Sequence, residues 1–124
     1  MKVEIPLGDV VDKITILKIK LANLSKKEAL QNAKKELSSL INAWHSAGLP
    51  KLESLSAYPE LATINSKLWH IEDQIRLFEK REEFGDAFIQ TARMVYKLND
   101  QRASLKRQIN HELGSSLTEE KSYV

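Results

Sequence analysis

Apolar residues recur three and four positions apart along most of the chain, and the breaks between these rows mark out four helices. The first row is Leu7, Val10, Ile14, Leu17, Leu21 and Leu24. It forms a heptad seam, of the kind that packs one helix against another. After a short extended lead over Val3 to Leu7, Gly8-Asp9 predicts a helix over 9–24 with Asp9 as its N-cap. Ser25 followed by Glu28 reads as a capping box opening a helix over 25–47, with a seam of Leu30, Ala33, Leu37, Leu40, Ile41 and Trp44 and with Gly48 at its C′ position. Leu49 to Tyr58 has prolines near both ends and no helical stripe, so it reads as a loop. A third helix over 59–83 begins at Pro59 and carries Leu61, Ile64, Leu68, Ile71, Ile75 and Phe78. Gly85 suits a sharp reversal and Asp86 the cap of a fourth helix over 86–112, closed by Gly114 and followed by a polar tail over 115–124.

No segment beyond the lead shows strand alternation. The expected fold is therefore all-α: a single domain, an antiparallel helical bundle of about four helices with coiled-coil-like seams and a long C-terminal helical hairpin. In that hairpin, residues facing each other across the seam have numbers summing to about 169, because both helices rise equally per residue.

The fourth helix breaks its own pattern. Phe88, Ala92, Val95, Ile109 and Leu113 share one side, and Asn99, Arg102 and Lys106 project from the same sector. An unpaired buried cation costs several kcal/mol, so these groups must meet carboxylates, line a wet pocket or face another subunit. The hairpin register puts Glu72 within one or two turns of Arg102, making it the first candidate partner, with Asp12 and Thr15 of the first helix as further members. Lys106 falls opposite Thr63, which cannot neutralise it. Two readings stay open. In one, Glu72, Asn99, Arg102, Lys106 and Asp12 form an interhelical pocket for a carboxylate or phosphate ligand. In the other they form a salt-bridge network that fixes helix pairing.

Ile16 and Ile19 form a second apolar strip on the first helix, pointing away from its seam, and Trp69 sits beside the seam of the third. These are the candidate interface residues. The expected assembly is a homodimer through the first helix or the long hairpin, and a different protein partner is also compatible with the pattern. Asp73 and Arg76, three residues apart, suit a surface ion pair.

Composition narrows the chemistry. At 124 residues, 42% of them hydrophobic and 29% charged, the chain is that of an ordinary globular domain. It has no cysteine, which removes disulfides and thiolate metal sites. His45, His70 and His111 fall in three different helices without ligand spacing. Glu79, Glu82, Glu83 and Asp86 crowd at one turn, and beyond it the fourth helix supplies only Asp100 and Glu112, which do not make a second pair of ligands, so no metal or other cofactor is expected. The net charge of +2 is spread along the chain rather than clustered, which disfavours nucleic-acid binding. No apolar run approaches the roughly 20 residues that span a bilayer, and the lead has no signal-peptide core, so the expected location is cytoplasmic.

Several stretches together resemble a family of small bacterial and phage proteins known as domain of unknown function 6165. They are Gly8-Asp9-Val10-Val11-Asp12-Lys13-Ile14-Thr15-Ile16-Leu17-Lys18-Ile19-Lys20, Leu68-Trp69-His70-Ile71-Glu72-Asp73, Phe84-Gly85, Ala92-Arg93, Tyr96, Asn99-Asp100 with Arg102-Ala103, and Glu119-Glu120-Lys121-Ser122-Tyr123. The resemblance implies a stand-alone domain, similar also to segments attached to glycosyltransferase or tetratricopeptide proteins. It supplies no activity. The function expected from the residues is that of a protein interaction or assembly module, the alternative being a binder or enzyme that uses the cationic cluster for an anionic ligand.

Overall fold

A computed structural model of the chain describes residues 4–114. Val3 of the extended lead, the polar tail and the Glu119–Tyr123 segment lie outside the described residues. Four helices account for the fold: α1 (Leu7–Asn23), α2 (Lys27–Ser46), α3 (Tyr58–Arg81) and α4 (Asp86–Glu112), with a single 3-10 turn at Leu52–Ser54 before α3. Among the described residues there is no strand, and the fold is an all-α bundle. No helix among them is long and apolar enough to cross a membrane.

The helices sit within a few residues of their predicted spans, but their ends are made differently. Helix α1 starts two residues early, after Pro6, whose fixed φ and missing N–H suit a helix start; the Asp9 amide donates to the Pro6 carbonyl, so Asp9 lies in the first turn and caps nothing. Ser25 forms no capping box either. Helix α2 begins after Lys26 without a side-chain cap. Gly48 does fill the left-handed position after α2, with φ at 72°, where its amide donates to the His45 carbonyl. At the α3–α4 reversal the left-handed residue is Glu82 (φ 55°), not Gly85, which is extended in front of α4. Asp86 is then the first helical residue, where its charge favours the positive helix end.

Helices α1 and α2 form a short antiparallel hairpin, in which Lys13 pairs with Glu36 at 3.5 Å, and α3 and α4 form the long one. In the long one, Phe78 meets Phe88 edge to face at 6.1 Å, and Ser56, just ahead of α3, donates from its amide and hydroxyl to Glu112 at the end of α4. These contacts keep the register expected from equal rise. Helix α1 lies between α2 and the base of this hairpin. Its first turn touches α4 through Gly8 and Asn110 (2.6 Å), and Lys18 reaches Tyr58 at the start of α3 (2.9 Å). Since Tyr58 and Asn110 belong to the same end of the hairpin, α1 spans the hairpin at that end.

The core is formed there. Val11, Ile14, Leu61, Ile64, Leu68, Leu98, Leu105 and Ile109 are buried together, joined by Trp44 from α2. The segment before α3, read as a plain loop, also contributes: Leu52, Leu55 and Ala57 are buried, and the Trp44 indole donates to the Pro50 carbonyl at 2.7 Å. No residue from 69 to 97 is buried. The far half of the hairpin therefore extends beyond the core.

Candidate functional site

The polar row of α4 meets α1, not α3. Arg102 donates from Nε to Asp12 Oδ1 (2.8 Å) and from Nη2 to Asp12 Oδ2 (2.6 Å), a two-pronged pair that matches the planar guanidinium to the carboxylate. The third guanidinium nitrogen, Nη1, donates to Asn99 Oδ1 at 3.2 Å, one turn back on the same helix. Asn65 of α3 completes the cluster. Its amide nitrogen lies 2.9 Å from Asp12 Oδ1 and 2.7 Å from Thr15 Oγ1, and the Thr15 hydroxyl donates to the Asp12 carbonyl. Asp12, Thr15 and Asn65 are all buried.

Glu72 is not part of this arrangement. It is exposed on α3 and acts on Arg102 only as a more distant charge. The reason is geometric: α1 covers the hairpin at the level of Asn65 and Arg102, so its own carboxylate reaches the guanidinium first. Lys106 likewise has a carboxylate partner, Asp9 of α1, at 3.0 Å, and both side chains keep contact with solvent. Thr63, opposite it in the hairpin, could not neutralise it, and the partner comes instead from another helix, one of the alternatives the sequence left open. Asp12, Asn99 and Arg102 are brought together as expected, with Lys106 beside them. Asn65 was missed, although it interrupts the row Leu61, Asn65, Leu68 with the same three-four spacing that exposed Arg102.

Burial by itself pushes the Asp12 carboxyl up, but the hydrogen bonds from Arg102 and Asn65 and the charges of Arg102 and Lys106 outweigh it and hold it below its ordinary value. The hydrogen bond to Asp12, working against burial, raises the Arg102 guanidinium further. Asp12 is therefore ionised and weakly basic, a poor proton acceptor for catalysis. Among the described residues, no buried side-chain nitrogen or oxygen lacks a partner. No group of three acidic or histidine side chains among them is placed to hold a metal ion. The cluster satisfies its own buried polar atoms, while the Arg102 and Lys106 side chains stay partly open to solvent.

The candidate interface residues fall elsewhere. Ile16, Ile19 and Trp69 are all half-buried. The large apolar side chains most open to solvent lie mainly on the far half of the hairpin: Leu77, Phe84, Ile89, Met94 and Tyr96. Phe84 packs edge to face on Phe88 (5.3 Å) and is still half-exposed. The Asp73–Arg76 ion pair forms as its spacing predicts, at 2.7 Å on the surface of α3.

The chain belongs to the family of unknown function DUF6165, whose sequence profile matches residues 1–124. No curated protein and no solved structure matches it.

Proposed function

We propose that this protein is an interaction module that uses the far half of the α3–α4 hairpin, residues 69–97, as its contact surface. The observation that carries this reading is the division of the hairpin. Its base holds the core, whereas its far half buries no residue and exposes Leu77, Phe84, Ile89, Met94 and Tyr96. Five of the six large apolar side chains most open to solvent among the described residues lie on this one projecting element, whereas single scattered ones would need no explanation. The cationic groups, by contrast, are matched by carboxylates of α1: Arg102 by Asp12 and Lys106 by Asp9. A pocket for an anionic ligand would have to displace those partners.

Thermal melting in phosphate, citrate or nucleotide discriminates the two uses of the molecule. A ligand at a hundred times its dissociation constant adds about 2.7 kcal/mol of stability. The interaction module shows no such rise. A rise that disappears in Lys106→Met would instead make the cationic cluster the functional site.

A further inference from the structure

The exposed apolar groups of α4 belong to a row that is covered at one end only. Ile89, Ala92, Tyr96 and Asn99 recur three and four residues apart, and Lys106 and Asn110 continue the same row seven and eleven residues beyond Asn99. Helix α1 engages the C-terminal part: Asp9 pairs with Lys106, and the Gly8 amide donates to Asn110. Toward its N-terminal part the row opens to solvent, with Ala92 half-buried. Ile89 and Tyr96 are 47% and 54% exposed. The row has the spacing of a helix-packing seam and leaves Ile89 and Tyr96 open to solvent.

Charge says what kind of partner fits. From Glu79 to Asp86 the reversal carries four acidic residues (Glu79, Glu82, Glu83, Asp86) against Lys80 and Arg81, net −2. Between Ala87 and Asn99 the only charged residues are Arg93 and Lys97, net +2. These opposite regions are separated by about ten residues, roughly 15 Å along a helix. Two such helices laid antiparallel place the acidic end of each beside the basic pair of the other, and a two-fold axis satisfies both pairings at once. A parallel arrangement would set acid against acid.

We infer that the uncovered part of this row recognises a second copy of the chain, α4 packing antiparallel on α4 with Ile89, Ala92 and Tyr96 at the centre. This rests on the reading of the far hairpin as a contact surface, and it names the partner. In that register Tyr96 of one copy packs near Phe84 of the other. Ala92 allows the backbones to approach, while Arg93 and Lys97 face the other copy's Asp86 and Glu82.

The test is the mass of the full chain in solution by light scattering and sedimentation, from 1 to about 100 µM, a range suited to the micromolar affinities typical of weak self-association. The expected mass is twice 14.2 kDa at the upper end. Ile89→Lys and Arg93→Glu should each weaken dimerisation at least tenfold with helical content and melting of the monomer unchanged. Asp86→Lys should weaken it as well, and the double variant Arg93→Glu/Asp86→Lys should regain much of the loss, which a merely misfolded protein would not do. A wild-type monomer throughout the range overturns the proposal. So does a dimer that Ile89→Lys and Arg93→Glu leave intact but Ile19→Glu dissolves; self-association would then run through α1. The broader reading fails separately, if wild type and Ile89→Lys also retain the same set of bound proteins from a cell extract.

Discussion

The two ends of the α3–α4 hairpin are built from the same two helices and differ in almost everything else. At the base, Leu61, Ile64 and Leu68 of α3 and Leu98, Leu105 and Ile109 of α4 are buried, and α1 adds both apolar side chains and the carboxylate for Arg102. At the far end nothing from 69 to 97 is buried, and the reversal is held by Phe78, Phe84 and Phe88 stacked edge to face. A pair of helices with one shared seam buries too little apolar surface to be stable alone. The far end therefore borrows its order from the base by helical continuity. It is the part of the fold that can offer surface without endangering the core.

The largest effect belongs to the centre of the base. Arg102→Met removes the guanidinium while keeping much of the stem, and it leaves Asp12 ionised and buried without its two-pronged partner. The expected loss is about 3 kcal/mol in urea unfolding. Asp12→Asn should share most of that energy with it, so a double-mutant cycle should show strong coupling. Losses that add independently would separate the two residues and break the account of the base.

The same pair sets a pH dependence. The folded carboxyl of Asp12 lies below its unfolded value, so the folded state binds fewer protons in the range between them. Its contribution is fully present above the unfolded pKa of about 3.9, and it is lost as pH falls through the folded pKa. Acid unfolding of the wild type should therefore steepen below about pH 4, and Asp12→Asn should flatten that part of the curve. An identical acid limb in the variant would assign the effect to other carboxylates.

How much of this was legible in the sequence differs between the two ends for a physical reason. Periodicity reports which side of a helix is apolar, so the four helices, the hairpin and the odd placement of Arg102 were all readable. It does not report the direction from which a neighbouring helix arrives. Glu72 and Asp12 were both within sight of Arg102, and only the path of α1 across the base decides for Asp12. The same path pairs Lys106 with Asp9, which no spacing within α3 or α4 announces. Leu52 and Leu55 escaped because a short 3-10 segment buries side chains without a helical stripe. The caps failed where competing local geometry was available. Pro6 starts α1 without a side chain, and Glu82 takes the left-handed turn left open by Gly85.

A smaller effect should come from Gly8. In a helix, alanine is intrinsically better than glycine by up to about 1 kcal/mol. Here a methyl group would collide with the Lys106 carbonyl and crowd the Asn110 side chain, since α1 and α4 approach each other closely at this point. Overpacking of this kind costs about 1–3 kcal/mol, so Gly8→Ala should destabilise by about 1 kcal/mol or more in spite of its propensity. A stabilised variant would mean that α1 slides easily over α4 and that the base is not rigidly packed.

Beside Gly8, Lys106→Met separates a pair whose carboxylate is buried from one whose carboxylate is exposed, the two cations being alike in exposure. The side chains of Lys106 and Asp9 retain 27% and 42% of their exposure, against 7% for Asp12. Exposed ion pairs contribute between about 0 and 1 kcal/mol, because water and salt screen them and long side chains lose freedom in forming them. Lys106→Met should thus lower stability slightly or not at all, well short of Arg102→Met. A loss of similar size would make the two cations one cooperative unit.

The smallest effect should be found at the far end of the hairpin. Met94 is 41% exposed and no residue within the surrounding stretch is buried, so Met94→Lys strands no polar group and opens no cavity. Surface changes of this kind normally stay within about 0.5 kcal/mol. Lysine and methionine also have similar helix propensities, which removes the other common source of change. The prediction is an unfolding midpoint in urea indistinguishable from wild type, measured at a concentration low enough to keep the protein monomeric. A loss above about 1 kcal/mol would mean that the far end supplies stability of its own. The division between a base that holds the fold and a projecting end that is free to bind would then not stand.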